Sequence, residues 1–205
     1  MVKVKICGLS RQEDIEMVNL AGPDYIGFVF AESRRKVNRQ IADELKRLLK
    51  PDIKAVGVFV NEEPEQIINL CCNKTIDLIQ LHGDETDDYI KKLKVAVSVP
   101  IIKALRVSKE NNEKQNEFIS CDYILFDTYK KDQYGGSGEA FDWKYRPKVN
   151  KPVFLAGGIN QDNVAEAIRQ TAPYCIDVSS GVETNGYKDF DKIVKFIKAV
   201  RSVSL

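Results

Sequence analysis

Short runs of apolar, often β-branched residues alternate with longer charged segments of helical period from one end of this chain to the other. The apolar runs are VKVKIC (2–7), DYIGFVF (24–30), IKAVGVFV (53–60), IDLIQL (76–81), VPIIKAL (99–105), CDYILFD (121–127), PVFLAG (152–157) and CIDVSS (175–180). Several are continuous rather than strictly alternating, as in strands covered on both faces within a parallel sheet. The intervening segments predict helices. Ser10 and Glu13 have the spacing of a capping box, Gly22-Pro23 stops the helix that follows, and Pro64 stands near another helix start with Ile67, Ile68 and Cys71 on one side. Further helices are predicted over 39–49, 85–94, 109–119, 160–170 after an Asn160 cap, and 189–203, with one more near FDWKYRPK (141–148).

Eight strand-then-helix units, uninterrupted by any proline- or serine-rich linker, predict an α/β chain folded as a single (β/α)8 TIM barrel over residues 1–205, with right-handed crossovers throughout. The alternative is a doubly wound open sheet. That fold usually has fewer strands and a G-x-G-x-x-G first turn, where this chain has CGLSRQED.

Composition narrows the function classes. With 31 basic and 30 acidic residues the formal charge is +1, so no broad field draws nucleic acid or an anionic membrane, and neither is expected as a partner. The N-terminus has no signal-peptide pattern, and no apolar run approaches the roughly 20 residues of a membrane span. A cytoplasmic protein is expected. The five cysteines lack C-x-x-C spacing and read as free thiols of a reducing compartment, and His82 is the single histidine. The sequence gives no sign of a structural metal.

In a barrel, chemistry belongs on the loops after the strands. The first strand delivers Cys7 against a glycine, the second leads to SRRK (33–36), the third ends at Asn61 and the fourth ends in QLHG with His82. The sixth ends at Asp127, followed by the glycine-rich QYGGSGEAF (133–141), which reads as a lid; the last two give AGGI (156–159) and VSSGVE (178–183). Free cysteines are usually buried filler, the reading given to Cys71, Cys72, Cys121 and Cys175; at Cys7 filler and chemistry both stay open. Arg34, Arg35 and Lys36 also read as a solvated turn, and His82 as a structural hydrogen-bond cap. Asp127 ends a buried run, where a carboxylate must be paired, solvated or used. The two glycine-rich turns expose backbone N–H groups and suggest a phosphate cradle.

Taken in order, KICG, GFVF leading to SRR, VGVFVN, QLHG, FDT followed by YGGSGEAFDW, LAGGIN and IDVSSGVE cover residues 3 to about 183. This set resembles the phosphoribosylanthranilate isomerase family. The resemblance implies a (β/α)8 barrel that converts N-(5-phosphoribosyl)anthranilate into 1-(2-carboxyphenylamino)-1-deoxyribulose 5-phosphate, a small-molecule phosphosugar rearrangement of tryptophan biosynthesis that uses no cofactor. Carried over by motif, Cys7 corresponds to the general base and Asp127 to the general acid, on first and sixth strands read as diametrically placed. Arg35 corresponds to the residue holding the anthranilate carboxylate, with Arg34 left open because the Ala31-Glu32 connection is short. His82 and Asp177 fall among the substrate-binding positions, and Gly157, Gly158, Ser179, Ser180 and Gly181 match the phosphate loops. Rival readings are another phosphosugar barrel, which would put a carboxylate or lysine at position 7, a noncatalytic phosphate-ligand sensor, and a thiol redox protein, which lacks a second cysteine near Cys7.

Overall fold

The computed structural model describes residues 1–106, 120–127 and 149–204. Eight parallel strands close into a barrel in chain order: β1 Lys3–Cys7, β2 Tyr25–Val29, β3 Lys54–Phe59, β4 Leu78–Leu81, β5 Ile101–Arg106, β6 Tyr123–Asp127, β7 Val153–Ala156 and β8 Cys175–Val178. Each lies within an apolar run of the sequence or overruns it by a single residue. The closing pair sets Lys5 beside Asp177 across β1 and β8, and Asp127 ends β6 beside Ala156 of β7. Counted through β8 and β7, β6 stands three strands from β1, one short of diametric.

The described helices are α1 Gln12–Ala21, α2 Arg39–Leu48, α3 Pro64–Cys72, α4 Asp87–Ala96, α5 Val164–Thr171 and α6 Phe190–Arg201. Their ends follow local chemistry. Gly22 closes α1 in the left-handed region at φ 66°, Pro64 opens α3, and Thr86 and Asp189 cap α4 and α6 by accepting from Tyr89 N and Lys192 N. Two expected starts move. At α1 the Asp14 carboxylate, not Glu13, gathers the N–H groups of Ser10 and Arg11 at 3.0 and 3.1 Å and pairs with the Arg11 guanidinium at 2.7 Å, so the box built on Ser10 is absent. Asn160 caps only a turn, accepting from Asp162 N and Asn163 N, and α5 begins at Val164. The helices expected over 109–119 and near 141–148, and the glycine-rich lid, lie outside the described residues. Beyond the expected elements, β8 runs into a 3-10 turn, Ser180–Val182, and a two-residue hairpin of β9 Glu183–Thr184 and β10 Tyr187–Lys188.

Neighbouring strand residues divide between two apolar clusters, because alternate side chains face opposite sides of the wall. Ile101, Ile79, Ile26 and Ile176 join the layer between barrel and helices, whereas Ile102, Leu78, Tyr25 and Cys175 fill the interior with Val56, Leu125 and Phe154. The tube is thus packed from within. Tyr25, Tyr123 and Tyr174 ring Phe154 at centroid separations of 5.4–5.7 Å, plugging the end away from the Cys7 rim. Among the described residues no helix is long and apolar enough to cross a membrane.

A buried ion pair locks one loop of the rim. Lys103 of β5 reaches Glu85 Oε2 at 2.7 Å and Gly83 O at 2.7 Å, and the Glu85 carboxylate also accepts from Asn61 N and Gly83 N, so the β4 loop is tied to both neighbouring strands. Both side chains are at most 2 % exposed. Removing one partner strands the other charge in the interior, so Lys103→Met is expected to lower stability by about 3–5 kcal/mol, measured by urea unfolding at neutral pH.

Candidate active site

The candidate residues lie at the ends of the strands, as the sequence predicts. Cys7 closes β1, and the chain turns at once through Gly8 at φ 82°. A Cβ at Gly8 would overlap the stem of Arg35 and stand 3.3 Å from Ser179 Oγ, so glycine lets the arginine lie directly across the Cys7 turn. The Ser179 hydroxyl donates to the Cys7 carbonyl at 3.0 Å, joining β8 to the same point.

Beneath this turn sits a buried charged pair. Lys5, fully buried, donates to Asp177 Oδ2 at 2.8 Å, while Asp177 Oδ1 has no hydrogen-bond partner among the described residues. Burial pushes the Cys7 thiol up, and the Lys5 ammonium acts against it, followed more weakly by Lys188, while Asp177 reinforces the rise. Three other cysteines are filler as expected: Cys71, Cys121 and Cys175 are buried, and burial drives Cys71 up to about 11. Cys72, expected to be core or inert, is exposed at the end of α3.

Arg35 is held by a carboxylate of its own chain. Glu183 accepts from Arg35 Nε at 2.7 Å and Nη2 at 2.8 Å, from Arg34 Nη2 at 2.6 Å and from Lys188 Nζ at 2.7 Å. This fork engages one edge of the Arg35 guanidinium and leaves Nη1 as the remaining edge. Arg34 is the more exposed of the two, at 58 % against 21 %. Arg35 is therefore the arginine that faces the Cys7 turn. Burial alone would raise the Glu183 carboxyl, but the hydrogen bonds and charges of Arg35 and Lys188 outweigh it and hold it below the ordinary value of 4.5. A depressed carboxyl contributes stability that is present above its unfolded value and lost as pH falls through the folded one. Glu183→Gln is accordingly expected to lose about 1.5–3 kcal/mol at pH 7 and to show a flatter loss of melting temperature below about pH 4.5 than the parent.

Across the rim, Asp127 closes β6 and accepts from or donates to His82 Nε2 at 3.1 Å, and His82 Nδ1 stands 2.9 Å from Gln80 Nε2. With the Gln80 amide nitrogen toward Nδ1, that ring nitrogen accepts and Nε2 carries the hydrogen, which it gives to Asp127; in this orientation the buried Gln80 Oε1 has no partner among the described residues. Gln80 is buried at 1 % exposure, and the orientation of its amide sets the imidazole tautomer. His82, expected among the substrate contacts, thus meets Asp127.

The two glycine-rich turns come together. Gly157 and Gly158 take φ 87° and 64°, and Gly181 packs so closely on the carbonyl of Ile159 that a Cβ would overlap it. Around Gly158 such a Cβ would meet nothing within 4 Å among the described residues. Ser180 begins the 3-10 turn beside it, whereas the Ser179 hydroxyl is engaged by the Cys7 carbonyl, with Lys188 at 3.4 Å.

Known proteins are similar to this chain over nearly its whole length. Residues 4–199 match the family model described as N-(5'phosphoribosyl)anthranilate (PRA) isomerase. The chain belongs to this family. The N-(5'-phosphoribosyl)anthranilate isomerase of Endomicrobium trichonymphae is 50 % identical over 203 residues, spanning 99 % of this chain and all of that one. The crystal structure of the phosphoribosyl anthranilate isomerase of Thermotoga maritima superposes with a TM-score of 0.85 at 39 % identity, over 99 % of this chain and 100 % of that one. A second crystal structure of a phosphoribosyl anthranilate isomerase, at 35 % identity and TM-score 0.81 over 99 % and 100 % of the two chains, holds reduced 1-(o-carboxyphenylamino)-1-deoxyribulose 5-phosphate.

Sequence reasoning missed Lys5, Gln80, Glu183 and Lys188 of this family member. The available signal for Glu183 is its place at the end of VSSGVE, an acidic residue beside a glycine-rich anion cradle.

Proposed function

We propose that Cys7 and Asp127 are the base and acid of the isomerisation of N-(5'-phosphoribosyl)anthranilate to 1-(2-carboxyphenylamino)-1-deoxyribulose 5-phosphate. The chain is an isomerase of tryptophan biosynthesis. Protonated Asp127 gives its proton to the furanose oxygen as the C1'–O bond breaks and the anilino nitrogen lone pair forms the iminium. Cys7 thiolate takes the proton from C2', whose bonding pair becomes the C1'–C2' double bond of the enolamine as the iminium is neutralised. Loss of the O2' proton and protonation at C1' then deliver the ketone. The His82 N–H stabilises the Asp127 carboxylate that forms when the proton leaves, an interaction stronger in the transition state than before it.

The rest of the site orients the substrate. Arg35 offers Nη1 to the anthranilate carboxylate, Asp177 acts from behind the substrate by bracing Lys5 beneath Cys7, and the backbone of Gly157, Gly158, Ser180 and Gly181 takes the phosphate, with Ser179 bracing that loop against Cys7. Anchors at both ends hold C2' between acid and base, which converts binding energy into orientation. The observation that carries the reading is the opposition of Cys7, on β1, to a His82-coupled Asp127, on β6, around one rim.

Purified protein mixed with N-(5'-phosphoribosyl)anthranilate is expected to extinguish the substrate's fluorescence catalytically. Binding without turnover would overturn the reading and leave the phosphate-ligand sensor in its place.

A further inference from the structure

Lys5 and Cys7 are alternate residues of β1 and therefore face the same, inner side of the barrel. Opposite them on β2 the chain has Gly27. A Cβ there would stand 2.7 Å from Cys7 Sγ and 3.2 Å from Lys5 Nζ, so thiol and ammonium border one small space that only glycine leaves open. An ammonium has three donors, and among the described residues the one carboxylate that meets Lys5 is Asp177, at 2.8 Å. A lysine buried this completely is costly unless anions compensate it.

We propose that Lys5 is the electrostatic partner of Cys7, a positioning residue whose buried ammonium, braced by Asp177, holds the thiolate form of the base at the rim. The inference rests on the assignment of Cys7 as base. The charged groups facing Cys7 are Lys5 on β1, Asp177 on β8, Arg35 after β2 and Lys188 on β10. Arg35 and Lys188 are both clasped by Glu183, which offsets their charge, whereas Lys5 lies in the barrel interior directly below the thiol. Burial would lower the Lys5 ammonium, yet Asp177 and Cys7 together hold it above its ordinary range, so it stays charged wherever the enzyme works.

The test reads the thiol itself. Iodoacetamide alkylation of Cys7 is followed against pH by peptide mass spectrometry in the full-length parent, in Lys5→Met, in Asp177→Asn and in Lys5→Met/Asp177→Asn, with exposed Cys72 as the internal reference. The double variant removes both buried charges and so keeps the experiment open if Lys5→Met alone fails to fold. The pH midpoint for Cys7 is expected to rise by about one pH unit, and its alkylation rate at pH 7 to fall about tenfold. Because Asp177 acts on Cys7 against thiolate formation, its removal pushes the midpoint down, and a rise in the double variant belongs to Lys5. The kcat of the variant should fall by a similar factor at pH 7 and recover as pH rises, which a merely structural defect would not produce. A folded double variant whose Cys7 midpoint is no higher than that of Asp177→Asn alone overturns the proposal, as does a moved midpoint with unchanged kcat. Full activity in Cys7→Ser would instead overturn the assignment of the base, a separate result because the alkylation readout needs no substrate.

Discussion

Asp127→Asn is expected to lower kcat by about 10²- to 10⁴-fold while KM changes by only a few-fold. The amide retains the size of the carboxyl, and its oxygen still accepts from His82 Nε2, so the rim of β4 and β6 keeps its shape. What disappears is the proton for the furanose oxygen. The substrate's anchors lie on other strands, at Arg35 and in the turns after β7 and β8, which is why binding survives and the chemical step does not. Steady-state fluorescence assays of both enzymes decide it, with circular dichroism showing that the variant is folded. A matching loss in His82→Ala would be smaller, because the imidazole acts on Asp127 from behind.

Cys7→Ala should cost a comparable 10²- to 10⁴-fold in kcat, again with a modest change in KM. Alanine fills the strand end without clashing at Gly27, so the loss is chemical rather than steric. The pH dependence carries the same signature. Burial holds the Cys7 thiol above its ordinary range in the free enzyme, so near neutrality a minor thiolate fraction does the work. The parent's kcat/KM is therefore expected to climb as pH rises on the acid side of its profile, and the residual rate of Cys7→Ala to lose that dependence.

The architecture was legible because strands covered on both faces leave long apolar runs, and each run marks a strand to within about two residues. The same closure hid the most informative lysine. In VKVKIC, Lys5 reads as the polar side of a half-exposed strand, but a barrel has no wet inner face, and its partner Asp177 lies 172 residues away. Glu183 is hidden likewise: the motif matches Arg35 to a substrate carboxylate, with Arg34 left open, while the carboxylate that both meet in the described structure lies 148 residues beyond Arg35 and 149 beyond Arg34. Helix starts failed for a local reason. At α1, Ser10 and Glu13 have capping spacing, yet Asp14 can bridge two backbone N–H groups and Arg11 at once, and the carboxylate with more partners wins. Cys7, Asp127 and the glycine turns were found because strand ends in a barrel share one rim, so position along the sequence already brought them together.

The central claim is that Cys7 removes the C2' proton, and the fate of that proton tests it most directly. Single-turnover conversion of substrate carrying protium or deuterium at C2' would be followed in the parent and in folded Cys7→Ala. The account predicts a primary isotope effect in the parent and a C2'–H cleavage rate at least about 10²-fold lower in the variant. Cleavage in Cys7→Ala at the parent's rate would contradict it.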